Sequence, residues 1–101
     1  MPTPVDEALS ALSSVVPFKV DRRLIARLLS QNPPLNANAT DGGWDNTSLR
    51  HELYNRLAYE LLARPFHTYA FHKIGVERDR ANREAFFADL RRAHEAWVRR
   101  G

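Results

Sequence analysis

A chain of 101 residues with 44% hydrophobic and 27% charged side chains has the size and balance of one folded domain, and gives no compositional case for global disorder. The absence of cysteine excludes disulfides, thiolate nucleophiles, iron–sulfur clusters and the common cysteine-based zinc sites. Arginine supplies 13 of the 15 basic residues, yet a formal charge of +3 on this length is too weak a field to imply a nucleic-acid partner.

No apolar run approaches the ~18 residues of a membrane span, and "MPTPVDEALS" lacks the basic and apolar regions of a secretion signal. A cytoplasmic location is the expectation. Thr3 followed by Pro4 reads as a helix start, because the hydroxyl can cap free amides and proline tolerates the first helical position. Val5, Leu9, Leu12 and Val16 recur at helical spacing, which predicts a short helix over 4–15 that ends near Pro17. Asp21 is the cap expected for a second helix over 21–31, with Leu24, Ile25, Leu28 and Leu29 on its apolar face and Pro33 and Pro34 blocking continuation. Residues 32–46 hold no period and are rich in Asn, Pro and Gly, so they read as a long connection.

Asp45, Thr47 and Ser48 are alternative caps for a third helix, whose Leu49, Leu53, Tyr54, Leu57, Ala58, Leu61 and Leu62 trace a wide apolar stripe. Pro65 then either kinks that helix or opens a short new one from Pro65 to Ile74, closed by Gly75. Residues 78–100 should form one long helix with Phe86, Phe87, Leu90, Ala93, Trp97 and Val98 on its apolar side. Asp79 with Arg83, Arg91 with Glu95 and Glu95 with Arg99 stand four apart, where opposite charges pair.

The densest chemistry is "RPFHTYAFHKIG", residues 64–75. Five positions separate His67 from His72, roughly 140° around a helix axis, so the two imidazoles diverge. Helix-borne zinc ligands converge at i and i+4 or i+3, and a strand would put these two on opposite faces. A metal site would need His51, His94 or a carboxylate from another helix; the plainer reading packs these histidines among the aromatics. No nucleophile elbow or phosphate loop appears, and "DGGWD" alone is a turn whose Trp44 either docks on the core or anchors a partner. Arg22, Arg23 and Arg27, with Arg91, Arg92, Arg99 and Arg100, offer a conceivable phosphate-binding surface. The acids of the last helix largely compensate it, and basic residues at that end complement the helix dipole.

One local resemblance is present. "YAFHKIG" with "ANREAFFAD", spanning Tyr69 to Asp89, resembles a stretch of the small helical subunits of two-component extradiol ring-opening dioxygenases, the protocatechuate 4,5-dioxygenase type. It covers about a fifth of the chain. The resemblance implies a noncatalytic helical subunit that closes over a partner's active site.

These readings converge on an all-α single domain, residues 1–101, built as a bundle of four to five helices with a long loop between the second and third. The third and last helices should form an antiparallel core with the N-terminal pair across them. The functional expectation is a small noncatalytic binding protein, a subunit, adaptor or inhibitor of a larger bacterial or phage assembly. It would use a protein partner or a second copy of itself, with Trp44, Tyr59, Arg91 and Arg92 as contacts. Catalytic residues, cofactor and metal are expected to be none. The alternatives are a nucleic-acid-binding helical protein, the dioxygenase-like capping subunit, and a metal-dependent activity through His67 and His72.

Overall fold

In the first turn of α1 (Pro4–Ser13) the Thr3 hydroxyl accepts the Asp6 amide at 3.2 Å while the Asp6 carboxylate accepts the Thr3 amide at 3.1 Å. This reciprocal box satisfies amide donors that a helix start would otherwise leave open. The computed structural model describes residues 3–66 and 76–101, with side chains in the last segment from residue 80 onward. Within them the architecture is all-α: α1, α2 (Arg22–Ser30), α3 (Thr47–Leu62) and α4 (Val76–Arg100), a four-helix bundle with a long connection between α2 and α3. No helix among the described residues is long and apolar enough to cross a membrane.

Asp21 caps α2 as expected, accepting the Arg23 amide at 2.8 Å, and the helix ends at Ser30 before the proline pair. The connection that follows is extended except for two 3-10 turns, Ala37–Ala39 and Gly43–Asp45. Gly42 enters the second turn at φ +81°, a left-handed conformation that suits glycine.

The cap of α3 is Asn46, whose side-chain oxygen accepts the Leu49 amide at 3.0 Å, rather than any of the three expected candidates Asp45, Thr47 and Ser48. Only Asn46 stands three residues before a free amide while holding the extended backbone of a cap. Its own NH2 also donates to the Asp41 carbonyl at 3.2 Å, tying the glycine turn to the helix start. At the other end α3 stops at Leu62, and Ala63 turns left-handed at φ +55°. Pro65 therefore neither kinks α3 nor lies in a helix. The proposed helix from Pro65 to Ile74, with His67 and His72, falls otherwise outside the described residues.

The apolar stripes meet in a core of Ala8, Leu12, Val16, Val20, Leu24, Ile25, Leu28, Leu53, Tyr54, Leu57, Ala58, Phe66, Phe86 and Leu90. α1 packs on α2, and α3 packs on both α2 and α4. Fully burying one such Leu or Phe side chain stabilises the fold by ~1.5–3 kcal/mol. Phe66, the described aromatic of the 64–75 stretch, lies 5.4 Å from Tyr54, 5.0 Å from Phe86 and 5.9 Å from Phe87 between ring centroids. Its amide donates to Asn55 Oδ1 at 3.0 Å, which pins the chain leaving α3 against that helix.

Two polar side chains are buried with this core. His94, one turn beyond Leu90, accepts the Asp21 amide on Nε2 at 3.0 Å, and its ring stands 5.1 Å from Phe18. α4 is thereby fastened to the start of α2. Arg56 donates to the carbonyls of Leu28 at 2.9 Å, Gln31 at 3.2 Å and Pro33, and so closes the C-terminal end of α2.

Candidate functional site

On α3, Leu53 and Leu57 face the core with no exposure, while Tyr59, 200° further round the helix from Leu57 at ~100° per residue, is 54% exposed. Beside it Gln31, Glu52, Asn55, Arg56 and Glu60 line a depression of about 380 Å³. Every polar group around the tyrosine is held by another. Arg56 Nε donates to Glu52 at 3.0 Å, Arg27 donates to Glu60, Gln31 Nε2 reaches Glu60 at 3.4 Å, and Asn55 holds the Phe66 amide. The Tyr59 hydroxyl has no hydrogen-bond partner among the described residues. The result is a large amphipathic ring on a fixed polar platform. Such a group loses little conformational freedom when it is covered.

The other expected contact residues sit elsewhere. Trp44 is half-buried against the core, beside Pro4, Glu7, Leu29 and Leu35, and its indole Nε1 is buried with no hydrogen-bond partner among the described residues. Arg91 donates to the Pro17 carbonyl at 2.9 Å and lies 5.6 Å from the centre of the Phe18 ring, so it clips α4 to the α1–α2 connection. The expected pair of Arg91 with Glu95 does not form. Glu95 with Arg99 is likewise unpaired; Asp89 instead takes Arg92 and, at 3.1 Å, Arg64 from the end of α3. Asp79 lies outside the described side chains. Trp44, Tyr59 and Arg91 each line a different depression, so the structure does not gather them into one site.

The α2 arginines are similarly engaged. Arg22 pairs with Asp6, Arg23 with Asp21 at 3.1 Å, and Arg27 with Glu60. The Arg22 guanidinium and the Thr3 amide together lower the Asp6 carboxyl to about 2. Each positive charge on that helix thus meets a carboxylate, which weakens the field it offers to a polyanion.

No group of three or more potential metal ligands occurs among the described residues. His94, one possible co-ligand for His67 or His72, spends its Nε2 lone pair on the Asp21 amide, and burial holds its pKa below the ordinary imidazole value. His51 is exposed on α3, with its ring centroid 6.2 Å from that of Tyr54.

Compared with family models, with curated proteins and with solved structures, the chain gives no match. Of the stretch that resembles the extradiol dioxygenase small subunits, the part from Val76 onward belongs to α4 and residues 69–75 lie outside the described residues. Arg56 and His94 were not singled out by sequence reasoning as structural residues. A basic residue one position before Leu57 and an imidazole at the Phe86–Leu90 period were the signals available.

Proposed function

We propose that this protein is a small noncatalytic binding module whose partner is another protein, with Tyr59 as the anchor of the contact. The observation that carries this reading is the 54% exposure of Tyr59 on a helix whose opposite side is buried. Interface hot spots are enriched in tyrosine, and a surrounding ring of satisfied polar groups keeps water from such an anchor once it is covered. Glu52 and Glu60 on the rim favour a partner surface that offers basic or donor groups.

The test is affinity purification of the tagged chain from its native host, side by side with Tyr59→Ala. A partner recovered by the wild type and lost by the variant, at unchanged helix content and melting temperature, supports the reading. A chain that stays monomeric and recovers nothing, or a partner retained equally by both, overturns it.

A further inference from the structure

Six described arginines are matched to carboxylates, Arg22 to Asp6, Arg23 to Asp21, Arg27 to Glu60, Arg56 to Glu52, and Arg64 and Arg92 to Asp89, while Arg91 is held by the Pro17 carbonyl and the Phe18 ring. Arg50, like Arg91, is outside this set, and it stands beside a depression lined by further polar groups. It is half-buried in the first turn of α3 and meets no carboxylate among the described residues. One terminal nitrogen donates to the Trp44 carbonyl at 3.3 Å and, more weakly, to the Asp45 carbonyl at 3.5 Å. These contacts aim the guanidinium while leaving its Nε and second terminal nitrogen without an acceptor among the described residues. A partly desolvated cation with donors to spare is an incomplete arrangement until an anion meets it.

The surroundings supply an imidazole and two mutually engaged hydroxyls, with Ser14 donating to the Ala11 carbonyl at 3.0 Å, and no acid. Arg50, His51 and Tyr54 stand at i, i+1 and i+4, so Tyr54 lies one turn beyond both on the same side of α3. With Ser14 and Val15 from the end of α1 they line a depression of about 400 Å³, a size at which small ligands are held. Ser14 lies against the Tyr54 hydroxyl, and Arg50 favours the ionised form of that phenol while burial opposes it. The His51 ring has no hydrogen-bond partner among the described residues. A divalent cation would find no carboxylate on these walls, and a wholly apolar ligand would desolvate Arg50 further. A phosphate group, with several acceptor oxygens and a charge, matches the guanidinium fork and the imidazole together, beside a polar wall of hydroxyls.

The geometry points to a binding site for the phosphate group of a small phosphorylated ligand, held by Arg50 and His51 with Ser14 and Tyr54 at its side and Val15 beneath its apolar part. This site is separate from the Tyr59 face, because five positions, roughly 140° of helix, separate Tyr54 from Tyr59.

Titration of the isotope-labelled full chain with sodium phosphate, followed by amide chemical shifts and matched to sodium chloride at equal ionic strength, tests the assignment. Saturable shifts at Ser14, Arg50, His51 and Tyr54 are expected with phosphate alone. Arg50→Gln should weaken the affinity about tenfold, the effect of losing a charge-assisted hydrogen bond. His51→Ala, at an exposed position, should weaken it severalfold with the fold intact, and Tyr59→Ala should leave it unchanged. Linear shifts, equal shifts with chloride, or wild-type affinity in both the Arg50 and His51 variants overturn the proposal. Saturation by benzoate without saturation by phosphate also overturns it, by showing a carboxylate site.

Discussion

Substituting Arg56 by alanine should destabilise the fold by ~3–5 kcal/mol, the range for breaking a buried charged network. The side chain is only 8% exposed and donates to three carbonyls at the end of α2, those of Leu28, Gln31 and Pro33. A bond from a charged donor contributes ~1.5–3 kcal/mol where the acceptor cannot turn to water. The Leu28 bond is buried and counts in full, whereas the Gln31 and Pro33 carbonyls are partly accessible and recover some hydration. Glu52, the carboxylate partner, is 51% exposed and rehydrates at little cost, so Glu52→Gln should lose less than ~1 kcal/mol. Urea denaturation followed by circular dichroism measures these differences through the midpoint at constant slope. Arg56→Met keeps the packing of the stem and removes the donors, and it should fall close to the alanine variant. A wild-type midpoint for Arg56→Met, or a Glu52→Gln loss equal to that of Arg56→Ala, would refute the carbonyl clamp.

Other outcomes follow from the same geometry. Burial lowers the His94 pKa against the opposing pull of Asp21 and Glu95, so below the ordinary value of 6.5 the unfolded chain binds the proton more readily than the folded one. Stability is then full above about pH 6.5 and falls as pH drops toward the depressed folded value, when a protonated Nε2 can no longer accept the Asp21 amide. Urea midpoints from about pH 8 to about pH 5 should show this loss in the wild type and a flatter profile in His94→Gln, which keeps an acceptor and does not titrate. Equal profiles would remove His94 as the cause. Leu57→Ala, at a site with no exposure, should cost ~2–5 kcal/mol and lower the calorimetric melting temperature accordingly. Ala63→Gly, at φ +55°, should stabilise the chain by about 0.5–1 kcal/mol, and any loss of stability would show that the left-handed turn is not under strain.

The helices were legible because their causes are local. Thr3 and Asp21 cap amides two or three residues away, the leucines of α2 and α3 recur at helical intervals, and the proline pair stops α2 within a residue of the expected end. The cap of α3 was harder to place. Asp45, Asn46, Thr47 and Ser48 are all competent caps, and their local energies differ little. The choice of Asn46 goes with its bond to the Asp41 carbonyl and with Arg50 reaching back to Trp44, contacts that depend on how the preceding loop folds.

Sequence by itself determined the all-α class, the four described helices and most of the core, because hydrophobic period and capping act over three or four residues. Tertiary structure decided what the polar side chains do. Spacing alone pairs Arg91 along its own helix with Glu95, yet a carbonyl and a ring 74 and 73 residues away claim it. Spacing alone assigns Arg56 no partner and gives His94 no structural role; the end of α2 lying over the one and the Asp21 amide meeting the other decide both. Arg50 emerges by the same route as a cation without a carboxylate among the described residues, and for Tyr59, already an expected contact, packing decides the exposure of the ring and the platform around it. The physical reason is common to all of them. A long polar side chain finds its partner, or fails to, only after packing has set which distant groups stand within its reach.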